Sequence, residues 1–361
     1  MKSKNSGVSE AGRDPRRVSV VNRKYLGSKR ELAPAILEKI RATSGVPEVF
    51  FDGFLGTGAV SAAIIAAGAR SVIVCDNLYS NTAVFRGAFA LPAGEAHAVE
   101  RARDELNRLA GRAGYITEQF ADRYFTRDNC LVMDAVREEL ERRKAAGEIL
   151  ESVAGALLAS FILGADRVAN TIGQYDAYMK HLGKPGVENG RHLVDVRVYD
   201  RFTLPPLETL PPVEREIYTT DVLAVLDRVR ADTAYLDPPY NGRQYCDNYH
   251  VLENLARWEK PRLAGLTRKF DRSGLKSVFS RRRTAAAALK RLLDGLRVRH
   301  VYLSYNSEGI LSKEDIEEAI GKDRLRTRWD FPYPVFGRGA GVSRRRTVIE
   351  YLFYLQNDVR T

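Results

Sequence analysis

Cysteine is scarce: Cys75, Cys130 and Cys246 are the only three in 361 residues, far apart and odd in number. That excludes a disulfide framework, and the spacing makes no zinc site, so no metal is expected. Long apolar runs are lacking too. The run around Ala154–Leu163 falls well short of the ~18 residues a membrane span needs. The chain opens Met-Lys-Ser with no apolar signal region, which makes the cytoplasm the expected location and a membrane an unexpected partner. Internal repeats and low-complexity tracts are also missing.

What is present suits a soluble globular protein: 44% hydrophobic and 29% charged residues. A chain of 361 residues predicts one sizeable core plus an insertion or satellite lobe. The net charge is +11, and it is unevenly placed. Arg257 to Arg346 holds 23 Lys or Arg against 10 Asp or Glu, so the rest of the chain is slightly acidic. Clustered cations of this kind suit a polyanion, since phosphate neutralisation needs them close together. A solvated basic surface would look the same from charge alone.

Residues 1–20 are polar, basic and without periodicity, and read as a flexible arm. Glu31–Arg41 has helical spacing. Glu48–Phe51 reads as a buried strand, Ala59–Ala69 as a helix, and Ser71–Cys75 as a second strand ending at Asp76. This strand–glycine loop–helix–strand order opens a doubly wound, mostly parallel α/β sheet. From 81 to 215 the strand rhythm stops, and helical stretches predict an inserted, largely helical lobe. Strands resume at Glu216–Thr219, Thr233–Leu236, Val298–Ser304 and Thr347–Tyr354, with helices at Thr284–Leu296 and Lys313–Ile320. The sheet domain is thus split into 21–80 and 216–361.

Two constellations carry chemistry. The first is Phe51-Asp52-Gly53-Phe54-Leu55-Gly56-Thr57-Gly58, at a strand-to-helix turn. Glycines there let a ligand approach the backbone and the free amides of a helix start. Asp76, with Asn77 beside it, ends the next strand, where a carboxylate can accept ribose hydroxyls. A dinucleotide site shares this geometry, but the third glycine of that fingerprint is replaced by Ser61. The added acid at Asp52 suits a nucleoside cofactor with a charged amino group better than a pyrophosphate. The second constellation is Tyr235-Leu236-Asp237-Pro238-Pro239-Tyr240. Two prolines after a strand end fix the backbone and remove donors, leaving carbonyls beside an acid as acceptors for an amino group. The aromatic ring offers a face on which a flat base can stack.

With these motifs in place, the chain resembles the Dam-like class of DNA adenine-N6 methyltransferases, especially those of restriction–modification systems. The likeness runs through Lys24-Tyr25-Leu26-Gly27-Ser28-Lys29, then Phe54–Gly58, Asp76, a long insertion, and Asp237–Tyr240 continued by Asn241-Gly242-Arg243-Gln244-Tyr245. It implies a Rossmann-like methyltransferase sheet, S-adenosylmethionine as cofactor, and double-stranded DNA as partner; whether a cognate restriction endonuclease accompanies the enzyme or it acts alone stays open, as does its oligomeric state, with a monomer compatible with the sequence. It also implies roles. Asp237 and the Pro238 carbonyl would accept hydrogen bonds from the adenine amino group, and Tyr240 would stack on the extruded base, with Pro239 completing the catalytic tetrapeptide. Tyr25 and Lys29 would meet the methionyl end of the cofactor, Asp52 its amino group, and Asp76 its ribose. Thr219-Thr220-Asp221-Val222 resembles the segment against the cofactor adenine.

The insertion, in this family, helps read DNA. Gln174, Tyr175 and Lys180 fall inside it and are candidate contacts. Arg243, Tyr245, Tyr249 and His250 follow the tetrapeptide and are further candidates, although a packing histidine is the plain alternative for His250. The triplets Arg281-Arg282-Arg283 and Arg344-Arg345-Arg346 suit phosphates. Rival readings are transfer to cytosine N4 or RNA adenine, and a nucleic-acid-binding protein that keeps the fold without catalysis.

Overall fold

The structure is a computed structural model that describes residues 17–358 apart from 172, 181, 183–186, 189–190, 193–194 and 337–344. Nearly all of the expected arm at 1–20 therefore lies outside the described residues.

Helix α1 (Ala33–Ser44) has proline in its first turn, where a fixed φ suits a helix start and no amide is missed. It leads to β1 (Val49–Asp52), α2 (Ala59–Ala66) and β2 (Ser71–Asp76). The two strands are runs of β-branched and aromatic residues, and they pair in parallel with Val49 beside Ser71. Five helices follow: α3 (Tyr79–Arg86), α4 (Ala93–Asn107), α5 (Tyr115–Phe120), α6 (Arg127–Ala145) and α7 (Glu151–Arg167). The sheet resumes with β3 (Glu214–Thr219) and β4 (Thr233–Leu236). After these come α8 (Tyr245–Asn248), α9 (His250–Arg257), α10 (Arg282–Gly295), β5 (His300–Asn306), α11 (Lys313–Ile320), β6 (Leu325–Phe336) and β7 (Arg345–Gln356).

The seven strands form one sheet in the order β6-β7-β5-β4-β1-β2-β3. Strands β5, β4, β1, β2 and β3 run parallel, and β7 lies antiparallel between β5 and β6. Side chains alternate across the pleat. Phe50, Val72, Tyr235 and Tyr302 pack with α1 and α2 on one face, and Phe51, Ile73, Ala234 and Val301 pack with α10 and α11 on the other. The α/β class expected from sequence is the one observed. Strand β6, which had no sequence signal, carries Pro332 and Pro334 at the sheet edge, where a missing donor breaks no ladder bond on the open side.

A third core lies among the helices. It joins α3 to α7, and Val251, Leu252 and Leu255 of α9 complete it. Helix α7 is buried on nearly every side, which explains its apolar sequence. At Gly87 a Cβ would sit 2.3 Å from the Gly155 carbonyl oxygen, so the absence of a side chain lets α3 end against α7. Among the described residues, no helix is long and apolar enough to cross a membrane.

Candidate active site

Chain order reverses between β1 and β4: from β1 the chain builds outward through β2 to β3, then crosses back to β4 and β5. Such a switch point leaves a crevice at the carboxyl ends of the strands, where open α/β sheets hold ligands. Three acids stand there. Asp52 ends β1, Asp76 ends β2, and Asp237 directly follows β4. They line an open cleft of about 860 Å³, together with Tyr25, Lys29, Phe54, Gly56, Thr57, Asn77, Asp221, Val222, Pro239 and Tyr245. Gly58 and Pro238 are chain neighbours of this lining rather than part of it.

The glycine loop is held from below by Asp76. Its carboxylate accepts from the Gly56 amide at 2.8 Å, the Leu78 amide at 2.8 Å and Asn81 Nδ2 at 3.1 Å. Gly56 and Gly58 have φ of +53° and +75°, in the left-handed region that favours glycine. Burial pushes Asp76 up to about 6, although those three donors pull it down. Asp52 is 1% exposed and accepts from Ser61 Oγ at 2.6 Å. Thus Ser61, which stands where a dinucleotide fingerprint has glycine, anchors an acid instead. Burial raises Asp52 to about 7, with the Ser61 and Phe54 hydrogen bonds opposing it.

Lys29 has partners that the sequence did not suggest. Its Nζ donates to both oxygens of Asp237, at 2.7 and 2.8 Å, and lies 3.2 Å from Glu350 on β7. Burial works against its charge, but Asp237 and Glu350 outweigh burial and keep it firmly protonated. Burial is also the main cause raising Asp237, with Lys29 opposing it. Tyr240 lies beside this group, with the Lys29 ammonium 5.8 Å from its ring centre.

Three residues expected to touch DNA lie inside the protein. Tyr175 is fully buried, and its hydroxyl donates to Asp166 at 2.9 Å. Tyr249 is buried, stacks on Tyr25 at 4.4 Å, and its hydroxyl accepts from the Leu26 amide at 2.6 Å. His250 is buried between the carbonyls of Asp247 and Thr267, at 2.9 and 2.6 Å, and burial lowers it to about 4. None presents a group to a base edge. Tyr245 is half-buried and donates to the Leu26 carbonyl at 3.1 Å. Tyr245 and Tyr249 therefore clamp the Lys24–Lys29 segment against the site. Lys180, Arg243 and Arg281–Arg283 are exposed, and Gln174 is half-buried. Arg344 lies outside the described residues; Arg345 and Arg346 belong to β7, but their side chains are not among those described.

Sequence reasoning missed the far wall. Gln244 grips the Ser277 backbone from both ends, donating to its carbonyl at 3.0 Å and accepting from its amide at 2.7 Å. This places Phe279 in the cleft, edge-on to Phe54 at 5.1 Å. A bond across 33 residues of loop leaves no local pattern to read. Cys246 also lines the cleft, and burial pushes its thiol up to about 11, well away from a reactive thiolate. Among the described residues, no group of His, Cys, Asp and Glu could hold a metal ion.

Comparison with known proteins settles the family. The D12 class N6 adenine-specific DNA methyltransferase family matches residues 25–319, from Tyr25 through the glycine loop and Asp237 to α11. The chain belongs to this family. Proteins similar to it include the modification methylase StsI of Streptococcus sanguinis, 29% identical over 92% of this chain and 52% of that protein. The type II methyltransferase M.FokI of Planomicrobium okeanokoites is 30% identical over 65% of this chain and 35% of its own length. The type II methyltransferase M.NlaIII of Neisseria lactamica is 29% identical over 81% of this chain and 86% of its own length. The chain thus spans about half of the first relative and about a third of the second.

Proposed function

We propose that this chain moves a methyl group from S-adenosylmethionine to N6 of an adenine flipped out of double-stranded DNA at a specific sequence. The observation that carries the reading is Asp237-Pro238-Pro239-Tyr240 at the switch point, opening on a cleft that buried Asp52 and half-buried Asp76 also line. The donor set fits a sulfonium cofactor: it bears an amino cation and a ribose but no phosphate, and the cleft offers the carboxyls of Asp52 and Asp76. Asp76 would hold the ribose, Asp52 the amino group, and Asp221 with Val222 the adenine, while Tyr25 packs against the methionyl end. When bound, the cofactor supplies an electrophilic methyl group.

The protein's own residues do the rest. Asp237 and the Pro238 carbonyl accept hydrogen bonds from the target amino group, which turns its lone pair toward the methyl carbon. Tyr240 stacks on the extruded base and recovers part of the few kcal/mol that flipping costs. No covalent enzyme intermediate is needed. Residues 21–80 and 216–361 form the catalytic unit on this reading, and 81–215 the lobe that helps read the target, with a restriction endonuclease of the same specificity as a natural partner. The cytoplasm is the location that fits this reading.

The test is transfer from radiolabelled S-adenosylmethionine to duplex DNA, followed by digestion to nucleosides. Label is expected in N6-methyldeoxyadenosine. Asp237→Ala should abolish it while calorimetry shows cofactor binding largely intact. Label in cytosine or in RNA alone, or full activity of the variant, would overturn the reading.

A further inference from the structure

Glu350 lies outside the segment that the family matches, on an inner strand of the sheet, and is 2% exposed. Its chain neighbours at the same pleat face, Val348 and Leu352, are ordinary core residues. A buried carboxylate in such a strand is costly unless it is paired and hydrogen-bonded. It is both. Ser304 Oγ donates to Oε1 at 2.7 Å and Asn306 Nδ2 to Oε2 at 3.2 Å, both from β5, whose Asn306 is its register partner. Lys29 Nζ stands 3.2 Å from Oε1. The same ammonium holds both oxygens of Asp237 and donates to the Gly27 carbonyl at 3.1 Å.

One ammonium therefore serves two carboxylates. A structural ion pair needs only one acid, and the second leaves the group with an excess negative charge. We propose that Glu350 is a positioning residue for methyl transfer: it anchors Lys29 and offsets its charge, so that Asp237 faces the acceptor amine as an effective anion. This rests on the function proposed above. As N6 bonds to the methyl carbon, the sulfur–carbon bond breaks with its electron pair going to sulfur. N6 then carries positive charge until one of its protons leaves, through Asp237, to water. An uncompensated Lys29 ammonium bound to Asp237 would oppose that charge. With Glu350 present, the group as a whole is a fixed anion aimed at the place where the charge develops. Asp237 is faced by Lys29 from the N-terminal segment, Glu350 from β7, Asp52 from β1, Tyr235 on β4 and Tyr245 on α8. Glu350 is the acid among them that shares Lys29.

The test is Glu350→Gln, which keeps size and removes the charge. A fall in kcat of roughly 10- to 100-fold is expected, with cofactor Kd changed by less than about threefold. The acid limb of the kcat–pH profile should move to lower pH, because a negative charge that disfavours ionised Asp237 has gone. Glu350→Asp should restore part of the rate and keep the limb near its wild-type position. The same downward shift should appear in the ligand-free protein by carbon-13 NMR of the Asp237 carboxyl, assigned by its loss in Asp237→Ala. An unmoved Asp237 titration, or a rate loss matched by a loss of folded protein with no change in the pH limb, would overturn the proposal. The NMR titration does not depend on turnover, so a wild-type chain that methylated no DNA would count against the proposed function alone.

Discussion

Asp52 is a residue whose charge should respond to what fills the cleft. Burial raises it to about 7 in the ligand-free chain. A raised folded pKa means that its contribution to stability is fully present below the ordinary carboxylate value, and is lost as pH rises through about 7. The ligand-free protein should therefore lose thermal stability on this account between about pH 4 and about pH 7. An ammonium placed opposite Asp52 favours the ionised form, so cofactor binding should strengthen over the upper part of the same window and release a proton. Asp52→Asn should flatten both trends, measured by melting and by calorimetry in two buffers of different ionisation enthalpy. Affinity that stays level with pH in the wild type would remove Asp52 from the amino-group site. The sequence marked this acid only through its place before the glycines; the Ser61 bond that orients it closes in space.

Elements were legible where burial imposes a pattern. Strands covered on both faces read as continuous apolar runs, so β1, β2 and β4 appear at or within a residue or two of their observed bounds. Helix α11 likewise shows its period and falls at Lys313–Ile320 as expected. Helix α3 has no such signal, because Ser80, Asn81 and Thr82 are polar yet buried. It is started from elsewhere: Glu253 of α9 accepts from the Tyr79 and Ser80 amides at 2.9 and 2.8 Å, and a carboxylate there also suits the helix dipole. Strand β6 was hidden by its arginines and two prolines, which an edge tolerates and a central strand does not. The residues after Asp237 became candidate DNA contacts through the family resemblance, which carries no information on burial; α8 and α9 turn Tyr249 and His250 inward to hold Leu26 and Thr267, the packing alternative already open for His250.

The whole molecule carries +11, with its excess in the C-terminal third. Arg281–Arg283 stand exposed at the start of α10, where no acid occupies the first turn. Cations at a helix N-terminus oppose its dipole, and apart from the attraction of Arg282 to Asp315 of α11 folding gives little reason for the triplet, whereas phosphate binding does. Replacing all three with alanine should leave the melting temperature unchanged or higher. DNA binding should weaken across all sequences, and the slope of log K against log salt should shrink by about 0.9 for each phosphate that is no longer neutralised. An unaltered slope would mean that the DNA path runs over another face. Neither result bears on which base is modified. That central claim is tested most directly by modified-base sequencing of DNA from cells expressing this chain or its Asp237→Ala variant. The expected result is N6-methyladenine at one recurring sequence with the wild type and none with the variant; methylation of cytosine, or no modified base with either, would contradict it.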